Sequence, residues 1–205
     1  MEALDALNNG IITCWQSPSN IAIIKYWGKK GNQIPSNASL SITLSEAYTL
    51  TRIKASKSPS GKGPVVIFRF EGVLNEAFGV RIESFIKSVL PHFTFPKDII
   101  FDIESGNNFP HSAGIASSAS AMSALALCLC SLENRLTGTD GISDTFLQKA
   151  SFISRIGSGS ACRSVFGGMS VWGKHPAIDG SDDEFAVPLP FELHPLFTGI
   201  RDTIL

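Results

Sequence analysis

Cysteine is scarce in this sequence. Of 205 residues only Cys14, Cys128, Cys130 and Cys162 are cysteines, and no two form a Cys-x-x-Cys pair. A zinc centre is therefore not expected, and buried reduced thiols in a cytoplasmic protein fit better. His92, His111, His175 and His194 are scattered and give no metal-ligand spacing. Excess charge is also lacking. Seventeen Lys and Arg face eighteen Asp and Glu, for a net charge of -1, and no basic stripe appears. Nucleic acid and anionic membrane are disfavoured as main partners. No run of ~18 apolar residues exists, so no membrane-spanning helix is predicted. Residues Met1 to Gly10 lack a basic segment followed by an apolar core, so they do not read as a secretory signal. There is no fixed-period repeat, no Walker A loop closing on Gly-Lys-Ser/Thr, and no Gly-x-Gly-x-x-Gly fingerprint.

What remains is a chain with 43% apolar and 17% charged residues, enough for a sizeable core. Its most informative stretch runs from Asn107 to Ala121, Asn-Asn-Phe-Pro-His-Ser-Ala-Gly-Ile-Ala-Ser-Ser-Ala-Ser-Ala. Ile115, Ala119, Met122, Leu125 or Ala126, and Leu129 then follow at helical spacing. Small residues thus crowd the first turn of a long helix. The first amides of a helix have no partners inside it, and the helix dipole adds positive charge there. Gly114 and Ala116 keep bulk away, so an anion could approach the backbone, with Ser117, Ser118 and Ser120 adding hydroxyls. The same composition also suits a tight packing site, and this stretch alone leaves both readings open.

Other elements follow from pattern and turn residues. Ile11 to Gln16 reads as a strand broken by Ser17-Pro18-Ser19-Asn20. Ile21 to Lys30 is an apolar run ending in Lys25, Tyr26, Trp27, Lys29 and Lys30. Lysine is a point charge suited to phosphate, although lysines at an element's edge are usually just solvated. Leu40, Ile42 and Leu44 alternate with Ser and Thr as a half-buried strand, continued by Tyr48 to Ala55. Strands are expected at Val65 to Phe70, Ile99 to Ile103, Phe166 to Gly173 and Phe185 to Leu189, and helices at Glu76 to Leu90 and Asp144 to Ile156. Arg135 to Ser143 reads as a polar loop. A second small-residue cluster, Gly157-Ser158-Gly159-Ser160-Ala161-Cys162-Arg163-Ser164, adds an arginine. Ser160 is placed to cap a short helix with Arg163 one turn in, where a guanidinium could grip a carboxylate or phosphate. Two serine-rich helix starts, a lysine-aromatic strip and an embedded arginine together suggest a phosphorylated acidic small molecule. They do not specify the reaction.

Three segments resemble a known family. Ser19 to Lys29 with its Lys-Tyr-Trp-Gly-Lys, Asn107 to Ala121, and Gly157 to Gly168 are similar, in order and spacing, to diphosphomevalonate decarboxylase of the GHMP kinase superfamily. The resemblance implies an α+β fold, the ribosomal-protein-like two-layer GHMP N-terminal domain, with a mixed sheet and helices on one side. It implies that residues 1–205 form that domain and that a C-terminal domain bearing the catalytic aspartate lies elsewhere. Gly199 to Leu205 read as the opening of a further strand, so a longer protein is expected, with this chain weakly active or inactive alone. The implied reaction uses ATP and magnesium to phosphorylate the 3-hydroxyl of mevalonate 5-diphosphate, after which phosphate and carbon dioxide leave to give isopentenyl diphosphate. By matching position, Arg163 and Ser160 would hold the carboxylate end of the substrate. Tyr26, Lys25 and Lys29 would hold its diphosphate end or wall, with Arg163 and Lys29 serving catalysis. Gly114, Ala116, Ser117, Ser118 and Ser120 would line the ATP phosphate loop, Ser118 nearest magnesium. His111 and Ser112 depart from the Thr and Ala common in the family. A related mevalonate or phosphomevalonate kinase or decarboxylase, and a non-catalytic binding fragment, stay open as alternatives. So does a homodimer.

Overall fold

The computed structural model describes residues 2–59, 61, 63–96, 98–110, 114–139 and 141–202. His111, Ser112 and the last three residues of the expected terminal strand lie outside them. The chain runs α1 (Glu2–Asn9), β1 (Ile11–Ile24), β2 (Lys29–Lys30), β3 (Ile34–Pro35), β4 (Ser39–Lys57), β5 (Val65–Phe70), β6 (Val73–Leu74) and α2 (Glu76–Val89). It continues through β7 (Ile99–Asn107), α3 (Ser117–Thr137), α4 (Asp144–Gly157), a 3-10 helix (Gly159–Val165), β8 (Met169–Trp172), β9 (Ala186–Pro188) and α5 (Pro195–Thr198). The expected α+β fold is observed. β5 and β7 pair in parallel and the other strands of the main sheet pair antiparallel, giving a mixed sheet in the order β6-β5-β7-β4-β8-β9, with β1 on β4.

The organising strand is β4, 19 residues long. One edge pairs β8 through Ser39–Ile42 and then β7 through Thr49–Lys57. The other edge carries β1 along nearly its whole length. The expected break at residues 17–20 is absent: β1 continues across Pro18, where the register slips between Pro18 and Ser19. Proline is tolerated there because β1 pairs with β4 alone and the position is a bulge, so no ladder donor is lost.

The core lies between the inward face of the sheet and the helices. Ile53, Phe101 and Ile103 from the sheet pack against Ile82, Phe85 and Ile86 of α2, Leu125, Leu129 and Leu132 of α3, and Ile153 of α4. α1, which the sequence reading did not anticipate, contributes the fully buried Leu7. The helix start is also later than its apolar spacing suggested. Ile115 precedes α3, and α3 runs on to Thr137 before Gly138 ends it. α4 begins at an Asp144 capped by Ser143, whose hydroxyl accepts from the Phe146 amide.

Along the first stretch of β4, Ser39 and Ser41 are buried and Leu40, Ile42 and Leu44 are half-buried. The inward stripe reads Ser39, Ser41, Thr43 at one end, Thr49 and Thr51 in the middle, and Ile53 and Ala55 at the other. Alternation alone shows that a strand has two faces; it does not show which face the helices cover. Cys14 is corrected: it is exposed, while Cys128, Cys130 and Cys162 are buried and free as expected. Residues 199–202 form no strand.

Candidate functional site

The polar end of β4 faces the two small-residue segments, and its hydroxyls hold them. Thr49 shares 2.7 Å hydrogen bonds with Asn107 and with Ser120 of α3. Ser41 pairs with Ser170 at 3.3 Å, and Thr43 donates to the Gly168 carbonyl at 2.6 Å. β1 does the same from its bulge. Ser19 donates to the carbonyl of Ile115, just before α3. Its neighbour Asn20 donates to the Ser160 carbonyl at 3.2 Å and to Ser164 Oγ at 2.6 Å, and Ser17 donates to the Ser164 carbonyl at 2.8 Å. Consecutive residues of one strand therefore fasten both segments, bringing the start of α3 beside the 3-10 helix.

At the start of α3, Gly114 has φ 78°, and a Cβ added there would meet nothing within 4 Å. Ala116 caps the helix in a left-handed conformation, φ 50°, and offers no side-chain acceptor to the first amides. Ser118 is exposed, Ser117 is half-buried, and Ser120 is fully buried against the sheet. Ser120 thus stands behind the loop, bonded to Thr49 and to the Ser117 carbonyl. A cavity of about 470 Å³ opens beside Ser117 and Ser118, walled by Phe68, Phe70, Phe78 and Arg81. The Arg81 guanidinium lies 5.6 Å from the Phe78 ring. Open backbone amides next to an aromatic cavity are a fit for a nucleotide, phosphates at the helix start and base in the cavity. The sequence reading missed this wall, because Phe70, Phe78 and Arg81 come from β5 and α2 and carry no local motif. Among the described residues no group of three His, Cys, Asp or Glu could hold a metal.

The second centre is Arg163, 2% exposed in the 3-10 helix. Its Nη1 donates to Ser39 Oγ at 2.6 Å, and its Nε is buried with no partner. The guanidinium carbon lies 5.8 Å from the Tyr26 ring and 5.9 Å from the Trp172 ring, and these two rings meet edge to face at 5.0 Å. Burial lowers the Arg163 pKa from its ordinary value, which the nearby Cys162 and Tyr26 partly oppose. Lys29 Nζ lies 5.4 Å from the same Tyr26 ring and donates to Gln33 Oε1 at 2.6 Å. Gly159 permits this crowding: a Cβ there would stand 2.8 Å from Trp172 and 3.1 Å from Lys29. Arg163, Lys29 and Tyr26 are therefore brought together as one cluster, with Trp172 as a fourth member that sequence did not single out.

The remaining positions are less central. Ser160 is half-buried within the 3-10 helix and does not cap it; Ser158 holds the cap position and makes no side-chain capping bond. Lys25 is exposed, and its backbone carbonyl accepts from Asn37 at 3.2 Å. Asn20 was missed as a site residue. Its Oδ1 is buried without a partner, like Arg163 Nε. Buried polar atoms without a partner are uncommon.

This arrangement has close counterparts. A Ganoderma lucidum diphosphomevalonate decarboxylase is 34% identical over 203 residues, 91% of this chain and 48% of that protein. The mevalonate diphosphate decarboxylase from Enterococcus faecalis superimposes with a TM-score of 0.67 at 33% identity, covering 88% of this chain and 52% of its own. An MDDEF structure in complex with MVAPP, AMPPCP and magnesium gives 0.67 at 32% identity, over 88% and 51%. The chain spans about half the length of the curated relatives it matches. The diphosphomevalonate decarboxylase-like N-terminal domain matches residues 17–184, from the β1 bulge through the 3-10 helix to the loop before β9, and this chain belongs to that family.

Proposed function

We propose that this chain supplies the nucleotide- and substrate-binding part of an ATP-dependent decarboxylase acting on mevalonate 5-diphosphate. The observation that carries the reading is the environment of Arg163. A buried guanidinium is costly unless an anion answers it. Arg163 has a serine, two aromatic walls and an unused Nε, and no carboxylate among the described residues makes a salt bridge to it. A substrate carboxylate would match the guanidinium in charge and could accept from its Nε.

The roles follow. Arg163 holds the carboxylate and orients the neighbouring 3-oxygen, with Ser160 at the same end. Lys29 and Tyr26 take the diphosphate end and its wall, with Lys25 at the outer rim. Gly114, Ala116, Ser117 and Ser118 cradle the phosphates of ATP, and Ser120 fixes the loop from behind. Ser118 would stand nearest a bound magnesium ion, which would supply charge neutralisation to the phosphate groups. Departure of phosphate from a tertiary carbon leaves positive charge, which loss of the adjacent carboxylate relieves. The protein's part is to fix three anionic groups in one geometry. The acid or base for the 3-hydroxyl is expected outside these residues.

The test is a substrate panel with the full-length protein. Mevalonate, its 5-phosphate and its 5-diphosphate are each supplied with ATP, and ADP and carbon dioxide are measured. Both products from the diphosphate alone are expected. ADP without carbon dioxide would instead identify a kinase, and neither product from any of the three would leave only a binding protein.

A further inference from the structure

Arg155 is a buried cation that the chemistry above does not use. It lies in the last turn of α4, 2% exposed, where the helix dipole favours positive charge. Burial lowers its pKa, opposed by Cys162, Glu184 and Asp182. Among the described residues it makes no salt bridge to a carboxylate. It spends its donors on two backbone carbonyls: Nε on Glu184 at 2.6 Å, and Nη1 on Asn32. Its guanidinium also lies 5.2 Å from the Phe152 ring.

The Asn32 carbonyl belongs to an unusual turn. β2 and β3 form a two-rung hairpin, Lys29 opposite Pro35 and Lys30 opposite Ile34. Between them Asn32 and Gln33 both have positive φ, 57° and 62°. Successive non-glycine residues in the left-handed region are strained, Gln33 more than Asn32, and persist where surroundings over-determine them. The hairpin is too short to supply that constraint itself. Arg155 reaches the turn from the far end of α4, and Gln33, within the turn, accepts the hydrogen bond from Lys29 Nζ. A path of hydrogen bonds thus leads from Arg155 through the turn to Lys29, which meets Tyr26 in the Arg163 cluster.

We propose that Arg155 is a positioning residue: it pins the hairpin turn and thereby sets where the Lys29 ammonium stands relative to Arg163. The consequence for ligand binding rests on the reading of Lys29 as a diphosphate contact. The hairpin itself does not.

The test compares the full-length wild-type protein with Arg155→Met and Arg155→Lys. Mevalonate 5-diphosphate and AMPPCP are titrated separately by calorimetry, and backbone hydrogen exchange is followed over residues 30–34. Arg155→Met should weaken the diphosphate ligand about tenfold, the scale of one lost charge-assisted hydrogen bond, and leave AMPPCP within about twofold. It should also speed exchange at the turn. Arg155→Lys keeps the charge but not the fork, so it should recover part of both effects, and it carries the test if the Met variant does not fold. Unchanged diphosphate affinity, or equal loss of both ligands, would overturn the proposal, since a general structural fault would not separate them. If the wild type does not bind mevalonate 5-diphosphate, the substrate reading fails on its own. Exchange then decides for Arg155: faster exchange upholds the pinned turn, and unchanged protection refutes it.

Discussion

Arg163 and Arg155 are both almost fully buried, yet they differ in what they face. Arg155 is occupied by carbonyls from two loops, whereas Arg163 keeps its Nε unpaired beside two aromatic rings. The first is a tie and the second a receptor. The buried cysteines raise a different point of charge. Burial pushes Cys128, Cys130 and Cys162 from 9.0 up to about 12, so the folded state keeps these thiols protonated where the unfolded chain has ionised them. Their contribution to stability is complete below pH 9 and is lost as pH rises toward 12. The denaturation midpoint is expected to fall steadily between about pH 9 and pH 11. In the native protein at neutral pH a thiol reagent should modify Cys14 alone. A midpoint that is flat over that range, or fast modification of a second thiol, would contradict the assigned burial.

Among the elements, β4 does the most to shape the site. Its inward stripe passes from hydroxyls to aliphatics, so one strand serves the loops at one end and the core at the other. Thr49 is the middle of that stripe. Thr49→Val preserves shape but removes a partner from both Ser120 and Asn107, and about 1–3 kcal/mol of stability should be lost. Chemical denaturation measures it, and a loss within experimental error would mean the hydroxyl layer is not structural. The same strand explains what the sequence could and could not say. Local signals located α2, α4, β5 and the start of the α3 loop, because caps, proline stops and apolar spacing act within a few residues. Pro18 misled because its cost depends on whether the strand is at an edge. Which face Ser39 and Ser41 occupy was not legible, because alternation does not say which side the helices cover. Arg163, Lys29 and Tyr26, which the resemblance singled out, are found together in one cluster. Trp172, Asn20, Arg155 and the aromatic wall were not singled out, since each reaches the candidate site only when elements distant in sequence are set side by side.

At the scale of the molecule, a chain with a net charge of -1 concentrates Lys29, Arg155 and Arg163 about one end of the sheet. The start of α3 lies beside the 3-10 helix that carries Arg163, and the aromatic cavity opens next to it beside Ser117 and Ser118. One centre suits a nucleotide and the other an acidic, phosphorylated substrate, and the β1 bulge holds the two segments together. The chain spans about half the length of its curated relatives, so the proposed activity is tested on the full-length protein. The most direct test is release of labelled carbon dioxide from carboxyl-labelled mevalonate 5-diphosphate and ATP, comparing wild type with Arg163→Ala. The account predicts release by the wild type and a loss of at least about a hundredfold in turnover in the variant, on the scale of one removed transition-state donor, with AMPPCP binding retained. Equal release by both proteins, or none by the wild type, would contradict it.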